Sequence, residues 1–581
     1  MTSGRGTHGP RAAFAWQGPI SDSSSSETGR RTRGGSASTR AQVRAPLPLL
    51  AGLALLPLLL GLNNELENPD ATQYAQVAQR IRASGDWLHF EYAQGPFVNK
   101  PPLALWAEAV SMGLFGPHAW AARLPSLLAA LALVWLAFQL GLALFDRPRA
   151  ELGAVLVASM VGVQQSVADP KVDWALAVTT AAAVLAFVRA RQRPALHWLA
   201  WGATGLAVLA KGPLGLCLVG AAIAPEAVRR GWFDGLGWRR AFVRAQVVPG
   251  LAIVAAMAAP FYWAVYQRGG SADLGYLLFG QSFGRLSGTS YWKDSSTHLF
   301  FLHTSLWVFL PATPLLLPAL GGRLRGLVRA RALPPNPARV LVWWLVVPLL
   351  VFSFSSYKLP QYIYPLAVPA ALLSADLGAG LSGRALAWAR GGLAALGVAG
   401  AALSAVALGV VFPIGWAGAI TMSIFALLLV VPGWRVAGLS GLAVTSLLGL
   451  ELTYQLHFLP SINRYQLGET VGELVRREDP AGRVLPFVSE WEAPFSAGWC
   501  SGRREVSVDV PRLAELVRAG QARVALVPAD QSPDFGAAGL QAERLARLPD
   551  YRVTMPRGRF LDPATREQSV NWWDVVRLTA R

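Results

Sequence analysis

From Pro46 to about residue 457 the chain alternates long apolar blocks with short polar breaks. Thirteen blocks reach or approach the ~20 residues that a bilayer-crossing helix needs. They lie at 46–63, 120–145, 150–168, 173–189, 195–210, 213–229, 242–266, 298–320, 339–356, 360–378, 390–412, 415–432 and 436–457. No small-residue cleavage site follows the first block, which marks it as a retained span and not a removed signal peptide.

Two stretches break the pattern. Residues 63–119 are too polar to span and too long for a connector. In PDATQYAQVAQRIRASGDW, Pro69 suits a first helical position, and Tyr74, Val77, Ala78 and Ile81 recur at helical spacing. In PPLALWAEAVSMGLFG the prolines start a helix and Gly116 ends it, with Leu103, Trp106, Ala107, Val110 and Leu114 on one face. Both helices are too short to cross a bilayer and are expected to lie along its surface. After Pro460 the spacing changes again. Helix-like GETVGELVRR precedes the β-rich runs RVLPFVS, REVSVDV and RVALVPA, with helix-like VPRLAELVRAG before the last and WWDVVRLTA as a further strand. Alternation of that kind predicts a small α/β domain. It contains no Gly-rich phosphate loop, zinc spacing or nucleophile elbow.

The pattern as a whole predicts an α-helical polytopic membrane protein with about thirteen transmembrane helices. Its parts are a cytoplasmic basic tail (1–44), a membrane domain (45–459) with an outer loop at 63–119, and a C-terminal α/β domain (460–581). Composition agrees: of 581 residues 53% are hydrophobic and 15% charged. The tail is rich in Ser, Gly, Thr and Arg, cannot bury a core and reads as disordered. A net charge of +18 could suggest nucleic acid, but the arginines sit in short loops between apolar blocks. Arg147 and Arg149, then Arg189, Arg191 and Arg193, then Arg229, Arg230, Arg239 and Arg240 occupy every second loop. Positive charge on alternate loops puts the N-terminus in the cytoplasm and the C-terminal domain outside. Nucleic acid is excluded as a partner on that ground; membrane lipid is one. Cys217 and Cys500 imply no disulfide framework.

The lysines run against the arginines. Lys100, Lys171, Lys211, Lys293 and Lys358 are the only five, and all fall in loops assigned to the outer side. Lys211 and Lys358 sit at span ends in apolar surroundings, where an ionisable group is a functional candidate. Cationic donors converging on one face suggest an anion such as a lipid phosphate or pyrophosphate. Among the outer carboxylates Asp70 opens a helix beside a span end, where macrodipole and free amides keep it ionised; the same position also suits a simple cap. Asp169 and Asp173 flank the fourth span in VADPKVDWAL. His298 and His303, near Asp294, could ligate a divalent metal or serve as structural histidines.

The order of these features resembles the bacterial membrane glycosyltransferases related to aminoarabinose transferase and the protein O-mannosyltransferases, which share the GT-C fold. The stretches that carry it are PDATQYAQVAQRIRASGDW, NKPPLALW, DPKVD, AKGPLG and SSYKLPQYIYPLAVPAAL. The resemblance implies an enzyme of a bacterial inner membrane that moves a sugar from a polyprenyl-phosphate carrier to a lipid, glycan or protein acceptor outside the cytoplasm. It implies Asp70 as general base and either Asp169 or Asp173 as the second carboxylate. Lys100, Lys211, Arg285 in QSFGRL, Lys358 and Tyr362 match positions that face the phosphate. The family often has Asp-Glu-x-Arg where this chain has Asp70, Ala71, Thr72 and Gln73. In the aminoarabinose branch a Glu before the loop lysine helps hold a metal with a histidine, and here that position is Asn99. A divalent metal is therefore a candidate cofactor only, with His298 as its ligand. The expected reaction is inverting, with attack opposite the phosphate. The competing class is a flippase of lipid-linked sugars, which favours internal repeats and mid-membrane charges; neither is visible.

Overall fold

The computed structural model describes residues 46–581 except 67–68, 94, 234–239, 241, 244, 282, 289–295, 330–337, 437, 490–493 and 552–556. The tail, Lys293 and Asp294 fall outside the described residues.

Helices form on all thirteen apolar blocks, but several are short or broken. After α1 (Leu47–Leu60), the polar loop folds as α2 (Asp70–Ser84), a hairpin of β1 (Glu91–Tyr92) and β2 (Gly95–Pro96), and α3 (Leu103–Phe115). Next come α4 (Ala119–Leu144), α5 (Arg147–Ser159), α6 (Val161–Ala168), α7 (Asp173–Arg189), α8 (Leu196–Lys211) and α9 (Pro213–Phe233). They are followed by α10 (Val247–Gly275), the short α11 (Phe283–Ser287), α12 (Phe300–Val308), α13 (Thr313–Arg329) and α14 (Arg339–Ser353). Then α15 (Ala367–Ala379), α16 (Gly383–Val406), α17 (Trp416–Val436), α18 (Gly438–Thr453) and α19 (Leu459–Asn463) complete the helical region.

Among the described residues four helical stretches are long and apolar enough to cross a membrane: Ala119–Leu144, Val247–Gly280, Pro360–Ala379 and Gly383–Val411. The α5–α6 pair, bent by 45°, makes a fifth. The bend arises because Met160 is extended and the Val161 N–H leaves the helix to donate to the Leu310 carbonyl at 3.0 Å. The block at 298–320 is likewise two helices, parted around Pro311, which has no N–H to continue the ladder.

The surface placement expected for the loop helices needs revision for α2. Ala71, Ala75, Val77, Ala78 and Ile81 are buried, and so are Thr72 and Gln76, because α3 packs on one side and α21 (Phe495–Ser501) on another. On α3 the apolar Val110, Leu114 and Phe115 remain exposed, as a surface helix requires.

Beyond α20 (Gly468–Glu478), strands β3 (Val484–Phe487), β4 (Arg504–Ser507), β5 (Val524–Pro528), β6 (Leu540–Asp550) and β7 (Asn571–Ala580) form one sheet in the order β4-β3-β5-β7-β6. β3 pairs parallel with β4 and β5, while β7 pairs antiparallel with β5 and β6. Val471 and Val475 of α20 pack on Leu485, Leu526 and Val575. On the other face Leu513 and Leu516 of α22 (Val510–Arg518) meet Val527, Val576 and Leu578.

Candidate active site

One cavity of about 480 Å³ collects most of the residues singled out in the sequence. Asp70, the first residue of α2, lines it together with Gln73 and Tyr74, one helical turn further on. The β1–β2 hairpin carries the chain into Asn99, Lys100 and Pro101, which form the adjoining wall. Burial, and the charge of Arg285 nearby, push the Lys100 ammonium down to about 8, against the pull of Asp70 and Asp173.

Two ion pairs stand next to them. Asp173 heads α7, almost wholly buried, and accepts from Lys211 at the end of α8 at 2.5 Å. Lys211 Nζ also lies 4.5 Å above the Tyr362 ring, and all three residues line the cavity. Asp169, at the end of α6, instead pairs with Lys171 at 2.5 Å. Burial opposes the charge of Lys171, but Asp169 and then Asp70 outweigh it and raise its pKa. Lys171 lines the cavity, whereas Asp169 does not.

On the third side Arg285, from α11, hydrogen-bonds Tyr362 Oη and donates to Gln281 Oε1 at 2.8 Å. Its guanidinium lies 5.1 Å from the Tyr357 ring centre. Gln281 donates to Tyr276 Oη at 2.6 Å, and Tyr276 donates to Asn99 Oδ1 at 3.3 Å, so a polar chain links Arg285 to the Lys100 loop. The rest of the wall is aliphatic, with Leu214, Leu218 and Ala221 of α9 facing Val347, Val351 and Phe352 of the packed helix α14.

Six of the nine candidate residues thus meet here: Asp70, Lys100, Asp173, Lys211, Arg285 and Tyr362. Lys358 is buried outside the lining and donates to the Ser296 carbonyl at 3.2 Å. His298 also lies outside, exposed, with Nδ1 2.9 Å from the Ser353 carbonyl and its ring against Phe354. Asn99 offers an amide already engaged by Tyr276, and among the described residues no three of His, Cys, Asp or Glu converge. These donors do not fit a divalent ion.

Several members were not singled out for chemistry. Tyr74 and Gln281 stand one turn from Asp70 and Arg285, so helical spacing from a candidate could have found them. Arg123, buried in the apolar run of α4, donates to the carbonyls of Ala168 (2.8 Å), Leu62 (3.1 Å) and Glu65 (2.7 Å). It ties the start of the Asp70 loop to the end of α6, and a charge inside an apolar block was its signal. Phe495, from α21, also lines the cavity, and nothing local in the sequence pointed to it.

A chemical expectation follows from this geometry: cations and carboxylates at one end of a cavity with an aliphatic wall suit an amphipathic substrate bearing an anionic head. Residues 99–263 match the family described as dolichyl-phosphate-mannose-protein mannosyltransferase. The chain is 30% identical over 406 residues to the undecaprenyl phosphate-alpha-4-amino-4-deoxy-L-arabinose arabinosyl transferase of Pseudomonas aeruginosa (strain UCBPP-PA14), covering 68% of this chain and 70% of that one. A transferase of the same name from Erwinia tasmaniensis is 28% identical over 339 residues, covering 57% and 58%. In fold the chain is similar to ArnT from Cupriavidus metallidurans bound to undecaprenyl phosphate, with a TM-score of 0.72 at 20% identity over 91% of this chain and 97% of that one.

Proposed function

The chain belongs to the family of undecaprenyl phosphate-aminoarabinose arabinosyl transferases, and we propose that its cavity transfers a sugar from an undecaprenyl-phosphate carrier to an extracytoplasmic acceptor. It is a membrane-embedded glycosyltransferase of the GT-C fold. The observation that carries the reading is the union, in one cavity, of Lys100, Lys211 and Arg285 with Asp70 and an aliphatic wall from α9 and α14.

The prenyl chain takes the aliphatic wall and its phosphate faces the cations. In the reaction the acceptor oxygen attacks the anomeric carbon, its proton passes to Asp70, and the bond from that carbon to the phosphate oxygen breaks. Carrier phosphate departs with the electron pair. Phosphate is a good leaving group, so fixed cations in a water-poor site serve it better than a general acid. Asp173 holds Lys211 towards the phosphate, and Gln281 and Tyr362 hold Arg285. Attack from the face opposite the phosphate inverts the anomeric centre. The acceptor is lipid A, another glycan or a protein.

The same reading assigns thirteen membrane crossings, a cytoplasmic N-terminus, an extracytoplasmic α/β domain at 460–581 and residence in the bacterial inner membrane. Arginine-rich alternate loops support it. Convergence of Asp70, Lys100, Lys171, Arg285 and Phe495 supports a common side for the loops that bear them.

The test is transfer of radiolabelled sugar from undecaprenyl-phosphate donors into acceptors of isolated membranes, comparing wild type with Asp70→Asn. Wild type labels an extractable acceptor with inverted configuration, and the variant is slower by roughly 10²–10⁴-fold while still binding donor. Retention of configuration or full activity of Asp70→Asn refutes the mechanism. Carrier movement without transfer points to the flippase class instead.

A further inference from the structure

Among the described residues that line the cavity, one comes from the C-terminal α/β region, where the sequence displayed no catalytic motif. Phe495 opens α21, and its placement is fixed from three directions. Gln76, buried on α2 beyond the turn that bears Gln73 and Tyr74, donates to the Phe495 carbonyl at 2.8 Å. The Tyr92 ring stacks on the Phe495 ring, 6.3 Å between centres and 15° between planes. Glu505 of β4, fully buried, accepts from the Gly498 N–H at 2.8 Å and from Tyr92 Oη at 3.4 Å. Burial pushes its carboxyl up to about 8, so around neutral pH it is mainly protonated and sits under α21 without a bare charge.

Close backbone approach makes the arrangement stiff. A Cβ on Gly498 would lie 2.5 Å from Gln76 Oε1 and 2.6 Å from the Glu505 carboxyl carbon. From the opposite side, a Cβ on Gly468 or Gly472 of α20 would come within 2.6 Å of the Ser496 or Cys500 carbonyl oxygen. The helix is thus held between α2, which bears the proposed base, and α20, which belongs to the sheet region. A region needed only as a cover has no use for an aromatic ring held so firmly in the cavity wall.

Resting on the proposed transfer reaction, we propose that Phe495 is a specificity-determining residue that stacks on a sugar ring of the acceptor, so that the C-terminal region completes the active site. The cations and the α9–α14 wall are taken by the carrier phosphate and its chain. Phe495 lines the same cavity as Asp70, Gln73 and Tyr74 of α2, into which the acceptor oxygen must come. An aromatic face suits the C–H face of a pyranose and discriminates against acceptors without one. Gln76, Tyr92 and Glu505 are positioning residues that act through Phe495.

The experiment uses the full chain in proteoliposomes, an undecaprenyl-phosphate-linked radiolabelled sugar, and the lipid and glycan extract of the source membranes titrated as acceptor. Phe495→Leu raises the half-saturating extract concentration roughly tenfold, leaves the donor KM near wild type, and Phe495→Trp restores the acceptor response. Retained undecaprenyl phosphate binding reports that each variant is folded. A wild-type acceptor response in Phe495→Leu overturns the proposal, as does an equal rise in donor and acceptor KM or a failure of Phe495→Trp to restore it. An inert wild type with every donor overturns the transfer reaction itself, an outcome distinct from these.

Discussion

The stretch DPKVD offers two aspartates with the same partner type and the same 2.5 Å contact, yet they occupy different places in the molecule. Asp169 ends α6, pairs with Lys171 two residues further on, and does not line the cavity. Asp173 starts α7 and faces the cavity with Lys211, brought to it from the end of α8. A residue paired within its own loop fixes that loop, whereas one paired across two helices fixes the cavity. Sequence weighed both as the second family carboxylate because motif and spacing carry no record of which way a side chain is turned. We propose Asp173 for that position, since it lines the cavity.

Predictions sharpen that contrast. Asp173→Asn releases Lys211 from its place beside Tyr362 and lowers kcat by roughly 10²-fold, the scale of losing one preorganised charge contact. Single-turnover transfer at saturating donor checks it, and an unchanged rate removes Asp173 from the site. Next in size is a pH effect at Lys100, whose pKa is lowered to about 8 from 10.5. Its charge is lost as pH rises through 8, so affinity for undecaprenyl phosphate falls between pH 7 and 9, and Lys100→Arg flattens the profile. Stability moves the other way: between about 8 and 10.5 the unfolded chain holds the extra proton, so this group's contribution grows with pH across that window. Smallest for turnover is Asp169→Asn. It costs about 3–5 kcal/mol of stability by leaving Lys171 without its paired anion, seen as a lower Tm, while the folded fraction turns over near the wild-type rate. A rate loss matching that of Asp173→Asn erases the distinction between the two pairs.

Legibility followed the range of the interaction. The apolar blocks, Asp70 and Lys211 could be found from hydropathy and from charges beside span ends, which are costly and stand out. Lys100 was found as one of the few lysines on the outer side, and Arg285 only through the resemblance of QSFGRL. The breaks at Met160 and Pro311 were missed, since block length conceals a helix that bends and resumes. β6 was missed for another reason: LQAERLARLPD is rich in helix formers, and only its long antiparallel pairing with β7 makes it a strand. His298 was singled out for its nearness to Asp294, and Lys358 as a span-end charge and through KLPQY. In the structure each meets a backbone carbonyl and neither lines this cavity. Phe495 marks the limit, since its role depends on Gln76, Tyr92 and Glu505, contacts that join distant parts of the chain.

The claim on which the account rests is that Lys100, Lys211 and Arg285 hold the carrier phosphate in this cavity. Equilibrium binding of undecaprenyl phosphate to the purified protein tests it without knowledge of sugar or acceptor. Arg285→Ala, which removes a guanidinium fixed by Gln281 and Tyr362, is predicted to weaken binding roughly tenfold or more. Wild-type affinity in that variant, with the protein folded, would place the phosphate elsewhere and contradict the account.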